Sequence, residues 1–461
     1  MVCRHREGGP GNGGLVQWLY MNGSWGEGSR GWHLGATRQQ NDIQDEKGSM
    51  HRSLAVVGLL TWGFACGGAG TRHDQTATIT QDVQPGLEVL LADSLHLVRG
   101  RRVGLVTNQG GVDAKGVHAV ERLRAAGVNL VALFSPEHGF RGTAAPGEAV
   151  ATTHDSASGL PIYSLYGRTS APTDSMMMGT EVLLVDLPDV GARYYTYPST
   201  TVEVMRSAAR RAIPVVVLDR PNPIGGLVQG SVLDPAYRSF IGLLAVPMRH
   251  GLTIGELSRL AKEDLAIGGT LHVVPSKGWK RNQELDETGL PFIQPSPNLQ
   301  SLESLFHYPG TCLFEGTNLS VGRGTRAAFE QIGAPLLDTM GVLASLRATG
   351  LEGVSFEGVT FTPTRPGDGK YADTVLAGIR LTVTNRERYD PTITAVTLLR
   401  IIRQHQPDHF QFLERSFDRL AGGPVLRLAL VQGQTPGQIA ASWEGPRSEF
   451  LRRVQPFRIY P

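Results

Sequence analysis

The sequence predicts an α/β fold built on a doubly wound parallel sheet, and three observations predict it. Apolar runs of four to six residues recur without polar alternation, as in strands buried on both faces. Those runs alternate with helical stretches, the pattern of βαβ units. At 461 residues the chain has room for two domains and a sizeable core.

Taken in order, Val103–Thr107 reads as a buried strand, followed by a polar loop over 108–115. Gly116–Ala126 reads as a helix that Gly127 closes with a left-handed cap. Leu130–Phe134, Val182–Asp186 and Val215–Asp219 are further strands, with a helix over Thr200–Ala212 between the last two. Thr253 with Glu256 makes a capping box for a helix reaching about Ala266, and Leu271–Val274 is another strand. From about Ser301 the texture turns to glycine-rich loops. Ala377–Thr384 alternates, with Ile379, Leu381 and Val383 on one face, as in a half-exposed strand. Thr392–His405 is amphipathic through Ile393, Val396, Leu399 and Ile402. Thr435-Pro436-Gly437-Gln438 supplies cap, first-turn proline and capping-box glutamine for a last helix. A domain boundary is expected near residue 300, giving one domain over 83–300 and a second over 301–461.

Composition removes several function classes. The 44 basic and 42 acidic side chains leave a net charge of +2, which gives no reason to expect nucleic acid as a partner. Cys3, Cys66 and Cys312 are too few and too scattered for a disulfide framework or a zinc site, and His250 and Glu256 do not have metal-helix spacing. No metal and no cofactor is expected. No glycine-rich phosphate fingerprint follows Val103–Thr107, and Gly322-Arg323-Gly324-Thr325 lacks the lysine and spacing of a P-loop. Ser231 and Ser320 lack a nucleophile-elbow context.

The N-terminal region reads as targeting. Residues 1–49 are polar, glycine-rich and without apolar period, either a disordered extension or the product of a start assigned upstream of Met50. Residues 50–66 have a basic start, a short apolar stretch and small residues before Cys66, the outline of a secretion signal too short to span a bilayer. Gly-Phe-Ala before Cys66 resembles a lipoprotein processing site, although Gly63 stands where a leucine is usual. The expectation is an exported, periplasmic or membrane-anchored protein lipidated on Cys66, with a polar linker over 67–82. A buried N-terminal strand or helix is the plainer alternative.

Ligands of open parallel sheets bind beyond the carboxyl ends of the strands, so the loops there carry the chemistry. After Phe134 comes Ser135-Pro136-Glu137-His138-Gly139-Phe140-Arg141-Gly142, where Glu137 and His138 form an acid/base station or a surface pair. After Asp186, the string Asp189-Val190-Gly191-Ala192-Arg193-Tyr194-Tyr195-Thr196-Tyr197 offers aromatic rings to stack on a sugar and an arginine for a carboxylate, unless Tyr195 and Tyr197 are core. Asp219-Arg220-Pro221-Asn222-Pro223 is a proline-restricted loop in which Asp219 and Arg220 are a structural pair or part of a site. Later come Pro295-Ser296-Pro297-Asn298 and Glu315-Gly316-Thr317-Asn318-Leu319-Ser320-Val321-Gly322-Arg323. Glu315 is a second carboxylate from a distant part of the chain, and two carboxylates facing one another are the machinery of glycoside hydrolysis.

In this order the strings resemble the bacterial exo-β-N-acetylmuramidase family typified by NamZ, from about Gly86 to Tyr460, including a closing W-x6-F-x2-R stretch from Trp443 to Arg453. The resemblance implies a Rossmann-like N-terminal domain, a smaller α/β C-terminal domain and an active-site cleft between them. It also implies release of N-acetylmuramic acid (MurNAc) from non-reducing ends of peptidoglycan fragments. Carried onto this chain, it makes Glu137 the general acid, tuned by His138, and Glu315 the second carboxylate, with retention, inversion and a substrate-assisted path through the acetamido group all open. Arg193 or Arg323 binds the lactyl carboxylate, and Asp189, Tyr195, Tyr197, Asp219, Asn222, Asn298 and Asn318 are candidate substrate contacts. One departure stands out: the family's Pro-Phe after Gly-Thr is here Arg326-Ala327-Ala328-Phe329. A non-catalytic wall-sugar-binding lipoprotein and a hydrolase of another N-acetylated sugar are the competing readings.

Overall fold

The computed structural model describes residues 83–145, 147–148 and 151–461. The expected secretion signal, Cys66 and linker lie outside the described residues.

Strands β1 (Arg102–Thr107), β2 (Asn129–Ser135), β3 (Thr153–His154), β4 (Pro161–Ser164), β5 (Val182–Asp186) and β6 (Val215–Leu218) are followed by β7 (Gln229–Val232), β8 (Pro247–Arg249) and β9 (Leu271–Val274). Seven of them form a sheet in the order β3-β4-β2-β1-β5-β6-β9, in which the two-residue edge strand β3 is antiparallel and the other pairings are parallel. Apart from β3, the chain winds outward from β1 in one direction and then, from β5, in the other. That is the order of dinucleotide-binding doubly wound folds, and it opens a crevice beyond the carboxyl ends of β1 and β5. The central strand β5 is buried at every position, which explains why its sequence shows no alternation.

A three-stranded antiparallel sheet of β10 (Gln331–Ala334), β11 (Val354–Phe361) and β12 (Leu376–Val383), ordered β10-β12-β11, belongs to the C-terminal part. Helix Pro436–Val454 starts where its cap predicts, with its capping box formed, and Pro391–His405 opens one residue before the expected amphipathic stretch, capped by Asp390. One contiguous apolar core runs from Val106 and Val185 through Phe314 and Ile379 to Val454, so packing is not interrupted near residue 300. The expected loop texture after Ser301 is corrected by a helix over Leu302–Thr311, capped by Ser301. Pro309 and Gly310 lie near its end, and the chain continues as a 3-10 turn over Cys312–Gly316. Gly316 allows that turn to press onto another helix: a Cβ there would lie 2.4 Å from the Phe417 Cα.

Asp219 is also corrected, from substrate contact to structural anchor. It is fully buried after β6, where it accepts from the Tyr460 hydroxyl (2.6 Å), the Thr253 hydroxyl (2.7 Å) and the Gly255 N–H (2.8 Å). It ties the chain's end to a helix start. Burial pushes its carboxyl up to about 6 against those hydrogen bonds. A carboxyl raised above its unfolded value binds its proton more tightly in the folded state. Its contribution to stability therefore falls as pH rises from about 4 through 6. Melting curves across that interval are expected to show a decline in the wild type that Asp219→Asn lacks; equal slopes would contradict this assignment.

Candidate active site

A pocket of about 190 Å³ gathers Glu137, His138, Tyr195, Glu315 and Arg323 with Thr196, Ser296, Tyr308, Cys312 and Phe329. It lies past the carboxyl end of β2, where Pro136 turns the chain so that Glu137 and His138 face inward. His138 has a left-handed backbone (φ 69°), a conformation that costs a non-glycine residue energy and so requires support from its surroundings. Its support is a hydrogen bond from Nδ1–H to the Ala144 carbonyl at 2.8 Å, which leaves Nε2 as a bare acceptor. Burial holds the imidazole below the ordinary histidine range, outweighing the Glu137 carboxylate and the Ala144 carbonyl, so the ring is neutral at pH 7.

Glu137 is buried, with both oxygens engaged. Oε2 accepts from the Thr196 hydroxyl at 2.9 Å and Oε1 from the Gly147 N–H at 3.1 Å. Thr196 is the first residue of the helix Thr196–Arg210, which begins directly after the Asp189–Tyr195 loop. Behind it, the Tyr197 hydroxyl donates to the Glu137 carbonyl at 3.2 Å and accepts from the Asn108 amide at 2.8 Å. Tyr197 is therefore a buried support and not a sugar platform. Tyr195 lines the pocket, fixed through its hydroxyl to the Pro295 carbonyl at 2.9 Å.

Glu315 comes from the 3-10 turn Cys312–Gly316, a geometry that stacks positions three apart on one face. Cys312 accordingly lies over it, its Sγ 3.6 Å from Oε2, while Arg323 Nε donates to Oε1. Burial lowers the Arg323 guanidinium, but the Glu315 carboxylate overcomes this and holds it above its ordinary range. Burial also raises the Cys312 thiol and the Tyr308 phenol, so both stay protonated. Lys370 clamps the turn from behind, donating to the carbonyls of Glu315 at 3.1 Å and Leu319 at 3.0 Å. The arginine's terminal nitrogens have no hydrogen-bond partner among the described residues. Phe329, in the loop that departs from the family pattern, still walls the pocket: Arg323 lies over its ring at 5.1 Å and Tyr308 meets it edge-on at 4.8 Å.

Other expected contacts are not brought here. Arg193 is buried and spends its guanidinium on the carbonyls of Ser231, Val246 and Leu420 at 2.6, 3.0 and 2.8 Å. It bolts the β7–β8 ribbon to the helix Glu414–Ala421 and is not available to a substrate carboxylate. Asn222 is fully buried, donating to the Leu252 carbonyl and accepting from the Ile224 N–H. Asn318 staples its loop to His409 and Gln411. Asn298 lies buried between the wall residues Ser296 and Leu299 without lining the pocket. Asp189 accepts from the Gly191 N–H at 3.0 Å, lies 3.2 Å from His250 Nε2, and faces a separate cleft of about 70 Å³ beyond β5 and β6. Sequence reasoning did not single out Thr196, Tyr308, Cys312 or Lys370. Only Thr196, inside the tyrosine string, carried a signal.

Residues 103–303 match the family description "Exo-beta-N-acetylmuramidase NamZ, N-terminal", and residues 306–460 match its C-terminal counterpart. Peptidoglycan beta-N-acetylmuramidase NamZ of Bacillus subtilis (strain 168) is 39% identical over 409 residues, covering 88% of this chain and 98% of that protein. Two crystal structures of DUF1343 family proteins from Bacteroides fragilis NCTC 9343 are similar throughout. One has a TM-score of 0.76 at 31% identity and the other 0.66 at 30%, each covering 82% of this chain and 99% of theirs.

Proposed function

The chain belongs to the exo-β-N-acetylmuramidase NamZ family, and from that premise we propose that it is a glycoside hydrolase releasing MurNAc from the non-reducing ends of peptidoglycan fragments. The observation that carries this reading is the meeting of two carboxylates, Glu137 from the first family half and Glu315 from the second, on the walls of one small pocket. Glycoside hydrolysis needs a proton for the departing oxygen, a negative charge facing the oxocarbenium-like carbon, and a water whose oxygen bonds to that carbon while its proton returns to a carboxylate. Glu137 supplies the proton in its acid form, in which Oε1 still accepts from the Gly147 N–H and the Thr196 hydroxyl turns to leave the Oε2–H for the glycosidic oxygen. Glu315, paired with Arg323, supplies the fixed charge. The neutral His138 leaves Nε2 to accept from a sugar N–H or hydroxyl.

Arg323 gives the site its preference for muramic acid. Its Nε is engaged by Glu315, and its two terminal nitrogens remain for the lactyl carboxylate that glucosamine lacks. Arg323→Lys is expected to lower the ratio of kcat/KM for MurNAc-ended over GlcNAc-ended substrates by about 10- to 100-fold, since a planar donor pair is replaced by a point charge. An unchanged ratio would remove Arg323 from recognition. The overall reading is tested by mass spectrometry of products from wall fragments of defined ends. Free MurNAc from MurNAc-ended fragments alone supports it; internal cleavage or GlcNAc release contradicts it. The further reading is that the protein is exported and anchored through a lipid on Cys66. Palmitate labelling that survives Cys66→Ala would overturn that.

A further inference from the structure

The pocket is too small to meet more than the terminal sugar, and a larger groove lies beside it. This groove, about 940 Å³, is lined by His118, Phe140, Arg124, Arg141, Asp155 and Ile293, among others. Two separate chain segments cross from pocket to groove. Glu137 and His138 face the pocket while Phe140 and Arg141, on the same loop, face the groove. Ile293 lines the groove while Ser296, three residues on, lines the pocket. Two to three residues span at most about 10 Å even when extended, so the groove opens within reach of a short oligosaccharide whose end sugar fills the pocket. Gln109 ties the crossing together, donating from the groove to the Gln294 carbonyl at 2.9 Å.

The groove is on the side of the general acid. A general acid protonates the glycosidic oxygen, so the leaving part of the chain departs along the acid's own loop. The loop that carries Glu137 thus presents its next residues to whatever is attached to MurNAc. His118 is rigid, with Nε2–H on the Asn108 carbonyl at 2.9 Å and Nδ1 accepting from the Val120 N–H at 3.2 Å, and Phe140 meets it edge-on at 5.2 Å. Together they offer fixed apolar surface of the kind that packs on sugar faces. Arg141, with a side chain 71% exposed and only 4.0 Å from Asp155 as its ion pair, is a loosely held cation at the rim.

The geometry points to this groove as the binding site for the leaving-side glycan, an N-acetylated oligosaccharide whose next muramic carboxylate meets Arg141. The inference rests on the hydrolase reading above and adds what that reading does not state, a site for the chain beyond the scissile bond. It predicts that activity grows with glycan length.

The test compares kcat/KM for para-nitrophenyl β-MurNAc, a MurNAc–GlcNAc disaccharide and the tetrasaccharide of two such repeats. Two variants accompany the wild type: Arg141→Ala, and Ala125→Trp, which obstructs the groove from an exposed helix position without removing a core side chain. The wild type is expected to prefer tetrasaccharide over disaccharide by tenfold or more, and both variants to lose that preference. Equal rates for both lengths in the wild type, or a preference kept by both variants, would overturn the inference. So would a preference that appears only when the fragments carry peptides, which would make the groove a peptide site. Calorimetric binding of the tetrasaccharide to wild type and Ala125→Trp reads the groove without turnover. Should no substrate be cleaved, undiminished binding by Ala125→Trp still refutes the groove, whereas the aryl glycoside alone judges the hydrolase reading.

Discussion

Glu137→Gln is expected to lower kcat on the MurNAc–GlcNAc disaccharide by about 10²- to 10⁴-fold, the range that a positioned general acid contributes. KM should change little, because the substitution is isosteric and its surroundings accommodate it. The Gly147 N–H needs an acceptor, which the amide oxygen provides; the amide nitrogen then faces the Thr196 hydroxyl, which can rotate to accept. The loss should shrink on para-nitrophenyl β-MurNAc, whose leaving group departs with little protonation. Equal losses on both substrates would move Glu137 from acid to some other role. Steady-state kinetics on the two substrates reads this directly.

Glu315→Gln has a different signature. Its carboxylate faces charge that develops at the anomeric carbon whatever the leaving group. The loss in kcat should therefore be similar on both substrates, about 10²- to 10³-fold, as for removal of a preorganised electrostatic partner. The variant also frees Arg323 from its ion pair. A guanidinium without its carboxylate in a buried pocket binds the lactyl carboxylate more tightly, so KM should fall alongside kcat. A raised KM with kcat intact would mean that Glu315 only shapes the pocket.

The sheet was legible because its strands are buried on both faces and therefore uniformly apolar, as at Val182–Asp186 and Val215–Leu218. Helices with one exposed face and formed caps, such as Pro436–Val454 with only Ile439, Trp443, Phe450 and Val454 buried, were legible for the complementary reason. The helix Leu302–Thr311 was not, because every residue from Ser304 to Thr311 is buried, which erases the helical period, and Pro309 and Gly310 imitate a turn. The two-residue β3 and the short ribbon of β7 and β8 are too brief to carry a pattern.

For the site, strand-end position pointed to Glu137, since topology alone brings such loops together. Arg193, beside Tyr194, and Arg323, between Gly322 and Gly324, were equal candidates in sequence. Burial separates them: three carbonyls consume the first guanidinium, whereas one carboxylate leaves two nitrogens of the second. Asp219 and Asn222 misled because a proline-restricted loop at a strand end serves a structural clasp as well as it serves a ligand. Cys312 and Lys370 gave no signal, since a thiol over Glu315 and an amine behind it exist only once the 3-10 turn has formed.

Glu137 and Glu315 together make this pocket a muramidase site. Para-nitrophenolate release from para-nitrophenyl β-MurNAc, set beside the GlcNAc glycoside and the Glu137→Gln, Glu315→Gln double variant, tests it most directly. Release from the MurNAc glycoside by the wild type, with little from the GlcNAc glycoside and none by the double variant, is the predicted result. No release by a folded wild-type protein that still binds MurNAc, or release that survives in the double variant, would contradict it.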